Sequence, residues 1–282
     1  MTGTPALAYV MGHNERERRR LALQAAILNP LTEQLLCRAG LAPGMSVLDL
    51  GCGIGDVSMI AARLTGPGGK VTGLDVDEPA LAIARKRALE QSLTNITFMQ
   101  ANVLDSVPGT PVDAVVGRHI LGHTPEPLVL LKAVFTALKP GGIAVFQEYD
   151  FSVLHPAYPP APLRDRIAEV FRDFFLRASR GNVGTQLYHL AIEAGFHSVE
   201  CRAEYSILGG ADSPYYEWYA ESVRSILPRA EALGVLRASE IDIDTLAERL
   251  RKEAVANGSG CPAPVMIGCV ASKPPPTASF EA

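Results

Sequence analysis

The sequence predicts an α/β fold built on a mostly parallel sheet of seven strands. Short apolar runs alternate with helix-length segments between residues 45 and 150, and this alternation is typical of a parallel sheet with helices on both faces. The first apolar run leads directly into a glycine-rich turn, as strands do before ligand-binding turns. Two later apolar runs, at 198–208 and 265–271, complete the predicted sheet.

The N-terminal segment, residues 1–44, is predicted to form a helical cap. Leucine and isoleucine recur at three- and four-residue spacings across residues 15–40, which favours an amphipathic helix. Pro30 is expected to break or kink this helix, because a proline inside a helix removes a backbone donor. The proline-glycine pair at 43–44 then ends it.

The segment 45–150 is predicted to be the ligand-binding core of the fold. Its strands are expected, in order, at residues 46–50, 70–74, 96–100, 112–117 and 143–148. Its helices are expected between them, at residues 56–64, 78–91 and 127–138. Glycine and proline clusters separate most of these runs, as connecting turns require.

The second half of the chain, residues 151–273, is predicted to add the last two strands and several helices. The aromatic-rich run at about 161–180 and the segment 212–257 are the expected lid helices, and another helix is expected at 184–194. The complete prediction is a Rossmann-like sheet with an N-terminal helical cap and an inserted helical lid. A flexible proline-rich tail is expected at 274–282.

Composition narrows the class of protein. The 282 residues are 48% hydrophobic and 20% charged with a net charge of −4, a globular balance that argues against sequence-independent nucleic-acid binding. Five cysteines lie without paired spacing, so neither a metal site nor a disulfide framework is predicted. No leader pattern or long apolar run is present, which favours a cytoplasmic protein without a membrane partner. We expect a monomer or a homodimer.

The turn after the first strand predicts a site for an adenosine-bearing small molecule. Gly51, Gly53 and Gly55 leave the backbone bare at alternate positions, so a ligand can approach the N–H groups of the next helix closely. The second strand ends in Asp75, about 20 residues further on, where a carboxylate binds ribose hydroxyls in dinucleotide folds. These residues alone do not distinguish a nicotinamide dinucleotide from another adenosine cofactor.

Three further features favour a different cofactor from nicotinamide. Asp49 precedes the glycines by two residues, where a carboxylate can meet a cationic amino group; a Lys-Pro-Gly-Gly turn lies at 139–142; and no Tyr-x-x-x-Lys hydride-transfer pair is present. With residues 47–55, Asp75 and 112–116, these features make the chain resemble a class I S-adenosylmethionine (SAM) dependent methyltransferase. Within that class it is similar to the ubiquinone/menaquinone-biosynthesis-like group of small-molecule enzymes.

The resemblance implies which residues bind SAM, whose product is S-adenosylhomocysteine. Asp75 would take both ribose hydroxyls, while the three glycines of the turn would pack against methionine and ribose with Asp49 nearby. Arg118 would offer its backbone carbonyl to the methionine amino group. The other implied contacts are with adenine, from Val76, Asn102 (where the family often has Asp) and Val103, and closure of the site by Gln24.

Candidate catalytic residues follow strand four and lie in the N-terminal segment. Methyl transfer needs nucleophile, methyl carbon and sulfur in line in a dry pocket, and histidine is the usual base when the nucleophile carries a proton. His119 is the first candidate base, and His123 in the same loop is a candidate for substrate binding. Tyr9 and His13 are further catalytic candidates, as a hydrogen-bonding group and as a base.

Aromatic residues indicate the chemistry of the acceptor. Tyr149 follows strand five, and Phe175 and Trp218 lie on the predicted lid helices, where they are expected to bind a flat substrate. Plain packing is the alternative interpretation of each. The predicted function is methylation of a small aromatic or apolar acceptor, such as an indole-like ring in natural-product biosynthesis, at oxygen, nitrogen or carbon.

Three alternatives stay open at this point. The first is an NAD-type oxidoreductase, and the second is a SAM-binding protein of the methyltransferase fold that catalyses a non-methylating reaction. The third is an enzyme that modifies tRNA or protein, which the negative net charge disfavours for RNA.

Overall fold

The computed structural model describes residues 15–103 and 111–275. The chain divides into two compact units. Within the described residues, we call them the sheet unit, formed by residues 31–103, 111–148, 185–202 and 267–275, and the helical unit, formed by residues 15–30, 149–184 and 203–266.

The helices and strands alternate along the first half of the chain, as predicted. The α-helices are α1 (Glu15–Arg38), α2 (Asp56–Thr65), α3 (Glu78–Glu90), α4 (Pro127–Ala137), α5 (Pro162–Ala178), α6 (Val183–Glu193), α7 (Tyr215–Ala232) and α8 (Leu246–Asn257). The strands are β1 (Ser46–Leu50), β2 (Lys70–Asp75), β3 (Ile96–Gln100), β4 (Val112–Arg118), β5 (Leu138–Asp150), β6 (His197–Glu204), β7 (Ile207–Leu208), β8 (Cys261–Pro262) and β9 (Val265–Ser272). A short 3-10 helix spans Leu121–His123.

The large sheet has seven strands in the order β3-β2-β1-β4-β5-β9-β6. β1 pairs in parallel with both β2 and β4, so that Leu50 at its end lies between Leu74 and Gly117. The β2–β3 and β4–β5 pairs are also parallel. The predicted seven-stranded, mostly parallel sheet is therefore confirmed. The strand order reverses at β1, and open α/β sheets bind ligands at such a reversal, beyond the carboxyl ends of the strands.

β1 lies at the centre of the core of the sheet unit. Leu48 is 1% exposed and Leu50 is 0% exposed, because a parallel strand covered by helices is buried on both faces. Each such leucine contributes roughly 1.5–3 kcal/mol through removal from water. On the neighbouring part of the sheet, Leu81 and Ala84 of α3 pack in one cluster with Phe98 of β3. α3 thus packs on β3, the strand that pairs with β2.

The Lys-Pro-Gly-Gly segment belongs to β5, which begins directly where α4 ends. Lys139 Nζ donates a hydrogen bond to Asp113 Oδ1 over 2.7 Å, and Ser46 donates to Oδ2 from its N–H at 2.8 Å and its hydroxyl at 2.6 Å. Burial alone would raise the pKa of Asp113, but these hydrogen bonds outweigh it and lower that pKa to about 2. The amino-terminal ends of β1, β4 and β5 are thus fastened to one carboxylate.

The helical unit has an aromatic core that surrounds one buried cation. Tyr215 of α7 is fully buried, and the Arg164 side chain on α5 is 4% exposed. The guanidinium donates from Nε to the Tyr215 hydroxyl at 3.1 Å, from Nη1 to the His155 carbonyl at 2.6 Å, and from Nη2 to the Pro262 carbonyl. A buried charge needs such acceptors because it has lost its water. Arg164 therefore joins α5, α7 and β8.

Three elements differ from the prediction. The predicted break at Pro30 does not occur, because α1 runs through this residue as one helix and tertiary packing outweighs the lost backbone hydrogen bond; a kink there stays a prediction. β5 begins at Leu138 instead of residue 143 and includes residues 139–142, which were predicted to form a turn. The strand predicted at 198–208 is divided, because residues 207–208 leave the large sheet and pair antiparallel with β8. Within the described ranges, no helix is both long enough and apolar enough to cross a membrane.

Candidate functional site

The glycine turn at the carboxyl end of β1 has a backbone that only glycine adopts easily. Gly51, Gly53 and Gly55 have φ angles of +66°, +52° and +85°, in the left-handed region that costs other residues energy. The turn is closed by hydrogen bonds from Cys52 N–H to the Leu74 carbonyl at 2.9 Å and from Gly55 N–H to the Cys52 carbonyl at 2.8 Å. It then opens directly into the N-terminus of α2.

The three glycines face different surroundings. A Cβ atom at Gly51 would lie 2.7 Å from Ile120 Cδ1, and one at Gly55 would lie 2.9 Å from Phe98 Cζ. A Cβ atom at Gly53 would meet no described heavy atom within 4 Å. Two of the glycines are therefore required by packing inside the protein, whereas no atom of the described residues would obstruct a side chain at Gly53. The predicted approach of a ligand at Gly53 meets no obstacle among those residues.

Asp75, at the end of β2, is hydrogen-bonded to this turn. Its Oδ2 accepts from the Gly53 N–H at 2.8 Å, and its Oδ1 accepts from the Asp77 N–H at 2.9 Å. A carboxylate offers about four lone-pair positions, so about two remain after these bonds. Asp75 thus fixes the open glycine and keeps the capacity to accept from a pair of vicinal hydroxyls. The predicted ribose-binding role fits this geometry.

Asp49 is a buried carboxyl group just below the turn. It is 1% exposed, and Ser58 Oγ donates to its Oδ2 at 2.5 Å. Burial raises the pKa of Asp49 to about 7, although the Ser58 hydrogen bond and the Arg118 guanidinium oppose the rise. A cation placed nearby would favour the ionised form. The group is therefore suited to meet a ligand ammonium.

The loop after β4 borders the glycine turn through Ile120, whose side chain occupies the space beside Gly51. His119 begins this loop with φ +58°, and its N–H donates to the Gln147 carbonyl at 3.0 Å. His119 and His123 are both half-buried. The residue next to the predicted base, Ile120, thus lies against the predicted cofactor turn, and the role of His119 remains a prediction.

Glu148, near the end of β5, holds the same loop. Its Oε1 accepts from the N–H groups of Ile120 and Leu121 at 2.8 Å each, and its Oε2 accepts from the Gly122 N–H at 3.3 Å. It is 2% exposed, and burial raises its pKa to about 7 against the effect of these three donors. The sequence offered only an acidic residue at a strand end as a signal of this role, and the prediction did not assign it.

The residues expected at adenine lie along β2 and after β3. Val76 is 62% exposed, and its carbonyl accepts from Gln100 Nε2 at 3.0 Å. Asn102 is exposed and Val103 is buried. An exposed apolar side chain directly after Asp75 is a suitable surface for a flat base, and these three adenine contacts remain predictions.

Arg118 is the last residue of β4 in the sheet unit, and its role remains a prediction; the other predicted residues belong to the helical unit or lie outside the described residues. Gln24 is 7% exposed and accepts from Arg20 Nη1 at 2.7 Å. Trp218 is 3% exposed within the aromatic core, while Phe175 and Tyr149 are half-buried. Tyr9 and His13 lie outside the described residues. The roles proposed for all six remain predictions.

Comparison with known proteins identifies the family. The profile of a methyltransferase domain matches residues 41–189, more than half of the chain. The chain therefore belongs to the methyltransferase domain family, which confirms the resemblance seen in the motifs and favours it over a nicotinamide oxidoreductase.

Two curated relatives show how far this similarity extends. The demethylmenaquinone methyltransferase of Lactococcus lactis subsp. lactis (strain IL1403) is 40% identical over 124 residues, which are 43% of this chain and 47% of the relative. The ubiquinone biosynthesis O-methyltransferase of Xanthomonas campestris pv. campestris (strain B100) is 36% identical over 117 residues, 41% of this chain and 47% of the relative. The chain spans about half the length of these curated relatives.

Solved structures share the fold at low sequence identity. The [4+2]-cyclase SpnF has a TM-score of 0.56 and 22% identity, covering 88% of this chain and 82% of that chain. Haemonchus contortus phosphoethanolamine N-methyltransferase 2 in complex with S-adenosyl-L-methionine has a TM-score of 0.56 and 21% identity, covering 87% and 52%. These likenesses support the fold.

Proposed function

We propose that this protein binds SAM at the glycine turn and transfers its methyl group to a small aromatic or apolar acceptor. The observation that carries the proposal is the open face of Gly53, held by the carboxylate of Asp75. Family membership supports the reaction class, and relatives named for menaquinone and ubiquinone biosynthesis support an aromatic acceptor.

In this proposal each residue of the site in the sheet unit contacts a different part of SAM. The Gly53 backbone admits it, Asp75 accepts from the ribose hydroxyls, and Val76 covers the adenine. Asp49, whose ionised form a cation favours, faces the methionine ammonium, and Arg118 contributes its backbone carbonyl. When bound, SAM supplies an electrophilic methyl group on a sulfonium. The methyl group is transferred to the acceptor, and the electron pair of the broken carbon–sulfur bond remains on sulfur.

His119 is the base in this proposal. It takes the proton from the acceptor's nucleophilic atom as the new bond to carbon forms, because an imidazole titrates near neutral pH. Its position in a loop that packs against the glycine turn supports the assignment, since Ile120 is in contact with Gly51. The half-buried setting limits the water that would compete as a nucleophile or quench the base.

An aromatic acceptor is supported by the rings of the helical unit. Tyr149 lies 5.1 Å from Phe151 between ring centroids, and Phe151 stacks on Phe175 at 4.2 Å with planes 10° apart. Tyr149 and Phe175 keep part of their surface accessible. Such rings bind a flat apolar molecule through offset or edge contacts.

Calorimetric titration with SAM tests the cofactor assignment. We expect the wild-type protein to bind SAM with a dissociation constant on the order of micromolar, and Asp75→Ala to weaken it at least about tenfold, roughly 1.4 kcal/mol. Glu90→Ala, an exposed carboxylate on α3, is the matched control and should leave affinity unchanged. Equal affinity in wild type and Asp75→Ala would show that the ribose assignment is wrong.

Turnover with phenols, indoles and quinols then tests the acceptor class. We expect a methylated product and one equivalent of S-adenosylhomocysteine for each turnover. Product formed without S-adenosylhomocysteine would instead indicate the non-methylating alternative. Methylation of amines or peptides with no turnover of any aromatic compound would contradict the acceptor proposal.

A further inference from the structure

One buried carboxylate anchors the loop that carries the proposed base. The two oxygens of Glu148 receive three consecutive backbone N–H groups, those of Ile120, Leu121 and Gly122. Consecutive N–H groups that converge in this way form a binding site for an anion. Here the anion is a side chain from the neighbouring strand β5.

The backbone hydrogen bonds of the loop, from His119 to the Gln147 carbonyl and from His123 to the Ile120 carbonyl, leave the N–H groups of residues 120–122 to Glu148. His119 has φ +58°, a conformation that disfavours any residue with a Cβ atom. The 3-10 helix that follows has only three residues, and Leu121 within it is fully buried. A buried N–H without an acceptor destabilises the fold, so the carboxylate both satisfies these donors and selects this loop conformation.

The three hydrogen bonds respond differently to protonation of Glu148. The bonds to Oε1 are 2.8 Å long, whereas the Gly122 N–H lies 3.3 Å from Oε2. A proton added to Oε2 turns that oxygen into a donor, which opposes the Gly122 N–H, while Oε1 keeps its two bonds. Protonation therefore loosens the Gly122 end of the loop and leaves the Ile120 end in place.

The surroundings place this protonation near neutral pH. Burial raises the pKa of Glu148 to about 7, and the three N–H donors oppose that rise. Titratable or charged residues near this height of the sheet are Arg118 on β4, Cys269 on β9, Asp49 on β1, and His119 and His123 in the loop, while Tyr149 and Asp150 follow on β5 itself. Asp49 has its own pKa near 7, set by burial, Ser58 and Arg118. It therefore needs a control variant.

We propose that Glu148 is a positioning residue for methyl transfer, whose ionised carboxylate fixes loop 119–122 and thereby orients His119. The role in transfer rests on the proposed function, whereas the anchoring of the loop does not. Below neutral pH the carboxyl group is protonated, the Gly122 contact is lost, and the base is held less firmly. Activity then depends on two groups, the anchor and the base.

Amide resonances of the SAM-free protein test the anchor directly. We expect the amide proton shifts of Leu121 and Gly122 to titrate with a midpoint near pH 7 in wild type, with the larger change at Gly122. The titration should disappear in Glu148→Gln and persist in Asp49→Asn. Absence of any titration in wild type, or its survival in Glu148→Gln, would overturn the proposal. If the glutamine variant does not fold, the side-chain carboxyl carbon resonance of Glu148 in wild type decides the matter, because its midpoint must match that of the Gly122 amide.

The pH dependence of kcat tests the effect on catalysis. We expect the acid limb of log kcat to be steeper than a slope of 1 around pH 7 in wild type, because loss of the anchor adds a fall of about tenfold to the titration of the base, and to keep a slope of 1 in Glu148→Gln. In the variant we expect kcat above pH 8 to be about tenfold lower and KM for SAM to stay within about threefold. A wild-type limb with a slope of 1 throughout, or an unchanged profile in the variant, would contradict the positioning role. If wild type neither binds SAM nor turns over, the proposed function fails while the amide titration still reports on the anchor.

Discussion

Alanine substitution at each of the three turn glycines separates ligand approach from internal packing. All three have positive φ, so each alanine variant is destabilised by about 1–2 kcal/mol through its backbone. Gly53→Ala adds no overlap, because no described heavy atom lies within 4 Å of the new Cβ. Its unfolding free energy should therefore fall by only that backbone amount.

The other two glycines carry an added steric penalty of about 1–3 kcal/mol. At Gly55 the new Cβ lies 2.9 Å from the rigid ring of Phe98 and 3.1 Å from Ala84 Cβ. At Gly51 it lies 2.7 Å from the end of the Ile120 side chain, which can rotate away. We expect the loss of stability to be greatest for Gly55→Ala, intermediate for Gly51→Ala and least for Gly53→Ala.

Binding of SAM should rank the variants in a different way. The Cβ of Gly53→Ala occupies the open side of the turn, so we expect its affinity for SAM to fall at least tenfold, roughly 1.4 kcal/mol, while its fold is the best preserved. Urea unfolding and calorimetric titration measure the two quantities. If Gly53→Ala bound SAM as wild type does, the ligand would not approach the turn at Gly53, and the reasoning from the open face would be refuted.

Two further carboxylates give predictions for stability and pH. Asp113→Asn loses charged hydrogen bonds from Lys139 and Ser46 and should lower the unfolding free energy by about 1–2 kcal/mol after allowance for partial exposure. In wild type the pKa of Asp113 is lowered to about 2. The stability that the carboxylate contributes is therefore present above pH 4 and lost as pH falls through 2. Asp49 has a raised pKa of about 7, so the stability it contributes is present below pH 4 and lost as pH rises through 7. In Asp49→Asn the unfolding free energy should therefore no longer fall as pH rises toward 7. Wild type should also bind SAM more weakly below pH 7, where Asp49 is protonated, and this fall in affinity should be absent from the variant. A wild-type affinity that stays constant from pH 6 to 8 would contradict the role of Asp49.

Much of the sheet unit was predictable because its signals are local. Residues 46–50 form an apolar run that a parallel strand buries on both faces, and the glycines after it have positive φ, which a sequence reveals by residue type alone. The spacing of Asp75 from the turn likewise follows from one strand-helix-strand unit. These features require no knowledge of distant contacts.

The functions of individual glycines and of Glu148 were not predictable from local signals. Gly51 and Gly55 are packed against Ile120 and Phe98, residues that lie far along the chain. The sequence therefore does not distinguish these two packed glycines from the unobstructed Gly53. Glu148 accepts hydrogen bonds from backbone N–H groups, and every residue except proline has such a group, so the sequence does not identify the partners. Of the break or kink predicted at Pro30, the break does not occur for a related reason, because packing of the continuous helix outweighs the local preference of proline.

The carboxylates of Asp75, Glu148 and Asp49 accept different numbers of hydrogen bonds within the protein. This difference explains why we propose different roles for them. Asp75 is half-buried and accepts from two N–H groups, which leaves lone pairs for ligand hydroxyls. Glu148 is buried and accepts from three, so it has little left to offer a ligand and instead fixes the loop. Asp49 is buried and accepts from the hydroxyl and the backbone N–H of Ser58, and in our proposal a ligand cation completes its surroundings. The hydrogen bonds of these three carboxylates thus support the proposal that ribose binding, loop positioning and ammonium binding belong to different residues.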